Sequence, residues 1–132
     1  MATERILDND TALIEAHKFF DKKANYYKAK FEASEKGSVA ELKAFAVFNE
    51  FNEIRNNLWL LTIYGKGNIK VSIDRKHIWT AYTLFANMTE KSRQAYNKNP
   101  YGLKGERALL KLLNNETIEN ALWSAHDSLR NK

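Results

Sequence analysis

The chain has 132 residues, a formal charge of +5, 44% hydrophobic and 28% charged residues, and no cysteine. That is enough chain for one domain with its own core, and the composition is globular rather than disordered. Without cysteine there is no disulfide framework, no thiolate nucleophile and no thiolate-ligated zinc.

The first residues, MATERILDNDTAL, carry acids where a signal peptide needs an apolar core. The apolar runs are short: Leu58 to Leu61 extends only to Tyr64 if Thr62 is counted, far short of the roughly 20 residues that span a bilayer. The expectation is a soluble, cytoplasmic protein without membrane contact.

Asp10 or Thr11 can cap a first helix whose apolar positions Leu13, Phe20, Ala24, Tyr27 and Phe31 follow three- and four-residue steps. Gly37 ends it. Ser38 with Glu41 then forms a capping box, in which each side chain satisfies the other's backbone N–H. The second helix carries Leu42, Phe45, Phe48, Phe51, Ile54, Leu58 and Leu61, with Gly65 as its stop. Two helices of roughly 25 residues joined by Lys-Gly-Ser should fold as an antiparallel hairpin. The same hairpin can also pair with a second copy as a homodimer.

Residues 62–73, TIYGKGNIKVSI, admit two readings. Ile69, Val71 and Ile73 alternate as in a short β-hairpin, whereas a loop leaves Ser72 as the next N-cap. The loop is preferred, because a lone two-stranded hairpin has little to pair with. Ile78, Ala81, Phe85 and Met88 then return to helical spacing, with Tyr82 on the flank. Thr89 can cap a further short helix through Tyr96. NKNPYGLKG breaks the pattern, ERALLKLL resumes it as far as Asn114 and Asn115, and a last helix carries Ile118, Leu122, Ala125 and Leu129. The expected fold is all-α: one domain, 1–132, of five or six helices built on the first hairpin.

Catalytic signatures are absent. His17, His77 and His126 lie far apart in sequence and match no metal motif. His17 with Asp21, and Asp74 with His77, sit at helical spacing but read as local ion pairs. No GxSxG or related nucleophile context occurs, and the pair Glu50 and Glu53 is ordinary for a helix. Neither an enzyme nor a cofactor is expected. YGKGNIK lacks the Lys-Ser/Thr of a P-loop. GLKG at 102–105 matches the bare GxxG that KH domains use to clamp nucleic-acid backbone, but the strands of that fold are missing. WTAYTLFANMTEKSRQAY, residues 79–96, is similar to a segment of acyl-CoA-binding proteins. Tyr96 is one position out of register and Ile78 replaces that family's lysine, so no membership is inferred.

The charge distribution is the strongest functional signal. Residues 1–64 carry nine Lys/Arg against ten Asp/Glu, whereas 65–132 carry twelve against six. Between Lys66 and Lys111 the count is ten against three. Tyr82 and Lys91 lie in this stretch, and Tyr64 just precedes it. Its candidate binding residues are Lys66, Lys70, Arg75, Lys76, Trp79, Arg93, Tyr96, Lys98, Tyr101, Lys104, Arg107 and Lys111. Cations neutralise phosphates and aromatic faces stack on unpaired bases. The first expectation is therefore a small binding protein whose basic half contacts a polyanion, with nucleic-acid backbone foremost. The second is an adaptor or inhibitor that docks its basic face on an acidic or nucleic-acid-binding protein. Fourteen asparagines and fifteen lysines suggest an AT-rich coding genome, compatible with a phage or mobile element. Trp123, His126 and Arg130 fall away from the Ile118/Leu122 stripe, where an exposed tryptophan near an arginine suits a protein contact.

Overall fold

A computed structural model describes residues 9–64 and 73–129. They form four helices, α1 (Asn9–Ala33), α2 (Val39–Tyr64), α3 (Arg75–Lys98) and α4 (Gly102–Leu129). Two long helical hairpins, α1–α2 and α3–α4, pack through α1 against α4 and α2 against α3. The connectivity is up-down-up-down.

The first hairpin follows from its heptads. Leu13, Ala16, Phe20, Ala24 and Tyr27 on α1 face Ala44, Val47, Phe51, Ile54 and Leu58 on α2 at three- and four-residue steps. Gly37, at φ 81°, turns the chain between them. Ser38 Oγ accepts from the Glu41 N–H at 3.1 Å, as one half of a capping box. The other half is displaced by one residue. The Ser38 N–H is already bonded to the Glu35 carbonyl at 3.1 Å, so the Glu41 carboxylate accepts from the Gly37 N–H at 2.8 Å.

The second hairpin corrects the expected five or six helices to four among the described residues. Thr89 starts no new helix; it is buried, and its hydroxyl donates to the Phe85 carbonyl at 2.8 Å inside an unbroken α3. Asn114 and Asn115 likewise lie within α4. Asn115 Nδ2 donates across the hairpin to Ser92 Oγ at 3.0 Å, a bond that satisfies its amide without opening the helix. Of the stretch 62–73, residues 62–64 belong to α2 and 65–72 lie outside the described residues, Gly65 and Ser72 included. No strand occurs among the described residues. The N-cap of α3 is Asp74, whose carboxylate accepts from the Lys76 N–H at 3.0 Å.

Asn57 fixes how α3 leaves α2. It is buried, its Oδ1 accepts from the Asp74 N–H at 2.6 Å, and its Nδ2 donates to the Glu53 carbonyl at 2.8 Å. Both polar ends are therefore satisfied at the joint between the hairpins.

All four helices contribute to one core. Phe20, Ile54, Leu58, Ile78 and Leu122 are fully buried at its centre, each burial stabilising by about 1.5–3 kcal/mol. The cluster draws on residues 12–20, 54–61, 78–85 and 118–125. Phe19, Phe20, Phe51 and Phe85 meet in tilted and edge-on ring contacts at its upper edge. Toward the two turns the stripes run on beyond it. Ala24, Ala44 and Leu112 are buried, yet stand outside the common cluster.

Candidate functional site

The expected binding residues do not make one surface. From Lys76 to Lys98 along α3 is 22 residues, or about 33 Å at 1.5 Å per residue. Arg75, Lys76 and Trp79 lie at the end of the molecule where α4 finishes. Lys98, Tyr101, Lys104, Arg107 and Lys111 lie at the opposite end, around the α3–α4 turn. Lys66 and Lys70 fall outside the described residues.

At the first end the sequence brings four rings together. Trp79 and Tyr82, on α3, have centroids 5.2 Å apart. Trp123 on α4 lies 6.1 Å from Trp79 and 5.4 Å from Tyr82, and His126 lies 5.0 Å from Trp79. The two tryptophans remain 43% and 45% exposed. The rings pack on one another, so they offer outer faces rather than a slot between them. His126, expected on the outer side of the last helix, is buried instead. Its carbonyl accepts from Arg75 Nε at 3.3 Å, tying the start of α3 to the end of α4. Arg75 therefore has a structural partner, while Lys76 is exposed. Arg130 lies outside the described residues.

At the second end the turn is built by its glycines. Gly102 takes φ 72°, a left-handed conformation that glycine adopts without penalty. Gly105 is buried against Pro100, with its N–H donated to the Tyr101 carbonyl at 3.2 Å. Both glycines of the GLKG stretch thus have a folding role. Tyr101 projects at 86% exposure. The first turn of α4 holds no acid, so its positive dipole end faces the same region as Lys104.

Charge concentrates here. Residues 91–111 hold six Lys/Arg and one Glu, which equals the formal charge of the entire chain; the rest balances. Arg93 is neutralised within the hairpin by Glu90 at 2.6 Å and Glu116 at 3.4 Å. No ion pair among the described residues includes Lys91, Lys98, Lys104, Arg107 or Lys111. Tyr96 is half-buried, and its carbonyl accepts from the Asn99 N–H at 3.2 Å, so it supports the turn.

The histidines do not assemble a metal centre. Among the described residues no group of three His, Asp or Glu is placed to hold a metal ion. His77 is buried with Nε2 at 3.9 Å from Glu53 and 3.8 Å from Asp74, a loose bridge between α2 and α3. His17 lies tilted against Trp59, with ring centroids 5.2 Å apart, beside Asp21 and Arg55, which are themselves paired at 3.1 Å. Burial lowers the His17 pKa, Asp21 opposes that shift, and Arg55 adds to it.

One feature escapes sequence reading. A groove of about 450 Å³ opens between α3 and α4 above the common core, lined by Met88, Ala95 and Ala108 with Lys91 and Lys111. The signal available was the run Phe85, Met88, Ser92, Ala95 at core spacing, whose last members have no obvious partner helix.

No helix among the described residues is long and apolar enough to cross a membrane. No family model, curated protein or solved structure matches the chain.

Proposed function

We propose that the protein is a binding protein rather than an enzyme, and that the α3–α4 turn holds a polyanion, nucleic-acid backbone foremost. The observation that carries this reading is the concentration of Lys91, Lys98, Lys104, Arg107 and Lys111 around one turn, without carboxylate partners among the described residues. Cations held this way neutralise phosphates and release counterions. Tyr101, projecting from their midst, offers a ring on which an unpaired base can stack. Such a surface reads charge and shape more than sequence, since cations on phosphates and a ring on a base face carry little base-edge information.

Fluorescence anisotropy with short labelled single- and double-stranded DNA and RNA, across a salt series, tests it. Affinity should fall as salt rises, with a logarithmic slope of about −0.7 to −0.9 per phosphate contacted. Reversing Lys98, Lys104 and Arg107 together to Glu should weaken binding by at least about tenfold, while Arg75→Glu with Lys76→Glu should cost about twofold or less. Flat traces at low salt overturn the reading. Equal losses from the two sets of reversals would remove the turn as the site.

A further inference from the structure

The groove between α3 and α4 continues the seat of α1. Lower in the molecule, Ala12, Ala16 and Phe20 of α1 join Ile118, Leu122 and Phe85 in the common core. Phe19 of α1 closes the lower end of the groove. Above it the surface runs on from Met88 to Ala95, almost two helical turns, open to solvent along one side. Its polar members make no demand on a ligand, because Ser92 and Asn115 are bonded to each other at 3.0 Å. The floor is apolar and small, with alanines at 95 and 108, so a second helix can approach closely. Lys91 on α3 and Lys111 on α4 flank it, and neither takes part in an ion pair among the described residues.

We propose that this groove seats an amphipathic helix of a partner protein, whose apolar face is flanked by acidic residues. An open trough suits the ridge of a helix better than a small ligand, which binds where most of its surface can be enclosed. The flanking lysines supply the charge selection: a helix with glutamates beside its apolar stripe finds a cation on either wall, and one with lysines there is repelled. A second copy of the chain is disfavoured on the same ground, since its own turn region carries the same +5. Lys91 and Lys111 belong to the polyanion surface as well, so it is the apolar floor at Met88, Ala95 and Ala108 that sets this inference apart from nucleic-acid binding at the turn.

The probe is a fluorescein-labelled 20-residue peptide that repeats the Ala/Phe core face of α1 with glutamate on both flanks. Two controls accompany it: the same peptide with lysine flanks, and a scrambled acidic peptide of equal charge. Anisotropy should show binding of the first only, with a gain of helical circular dichroism on mixing. Lys91→Glu with Lys111→Glu should weaken binding by at least about tenfold. Ala108→Trp, which fills the floor, should abolish it, and an unchanged thermal melt checks that this variant folds. Should Ala108→Trp disturb the fold, the exposed lysine pair still decides. Absence of binding, equal binding of the scrambled peptide, or indifference to both variants overturns the proposal. DNA binding that survives Ala108→Trp, alongside lost peptide binding, separates this site from the polyanion surface.

Discussion

A methyl group on Gly105 would stand 2.3 Å from the carbonyl carbon and 2.4 Å from the carbonyl oxygen of Pro100. Both are backbone atoms, so neither yields without moving the turn. Gly105→Ala should therefore destabilise by about 1–3 kcal/mol. Gly102→Ala meets nothing within 4 Å and should cost about 1–2 kcal/mol of left-handed strain alone. Urea denaturation compares the two, and an unchanged midpoint for Gly105→Ala would mean that the turn shifts freely. His17 acts through protonation. Its folded pKa lies below the ordinary 6.5, with burial as the main cause, so the unfolded chain takes up the proton more readily. Its contribution to stability is present above pH 6.5 and is lost as pH falls through that value toward the lower folded pKa. Stability measured from pH 8 to pH 5 should decline in that window, and His17→Gln should flatten the decline.

At the scale of the element, sequence reading was sound where neighbours along the chain decide. The α1–α2 hairpin, its Gly37 turn and the Ser38 half of the cap were legible, because helical spacing and capping are local. The start of the α2 stripe was not, since Leu42 and Phe45 are exposed and Ala44 is buried in their place. The added breaks at Thr89 and Asn114/Asn115 were misread for a physical reason. Threonine and asparagine favour caps when their side chains lack other partners; here Thr89 has the Phe85 carbonyl and Asn115 has Ser92. Nothing of the kind accounts for Asn114, whose Oδ1 is buried without a partner among the described residues. Asn57 is the corresponding long-range device, joining α2 to the start of α3. Asn57→Ala removes the acceptor of the Asp74 N–H and should cost about 1–3 kcal/mol. Hydrogen exchange of that amide should quicken, and unaltered protection would show that the joint is held by other contacts.

For the whole molecule, the common core couples the two hairpins. Phe20, Phe51 and Phe85 come from three helices and both hairpins, so neither hairpin buries its stripe alone. Unfolding should be a single cooperative transition. Trp59 reports on α2, while Trp79 and Trp123 report on the second hairpin. Trp59→Phe, and separately Trp79→Phe with Trp123→Phe, should yield fluorescence transitions that coincide with circular dichroism. Separated midpoints would mean that the hairpins fold independently. The charge of the molecule is also organised at this scale: a balanced body carries one basic end.

By itself the sequence determined the helical class, the first hairpin, a break somewhere within residues 97–105 and the basic bias of the second half. All of these follow from spacing and composition among chain neighbours. Tertiary structure alone decided which cations remain available. Beyond its local pair with Glu90, Arg93 also reaches Glu116, 23 residues away in the chain, and Arg75 is held by the His126 carbonyl. The long α3 then sets Trp79 and Lys98 at opposite ends, so a run of basic residues continuous in sequence becomes two separate surfaces in space. The groove beside Lys91 and Lys111 exists because the common core ends before the helices do, and no local periodicity encodes where four helices stop sharing a core.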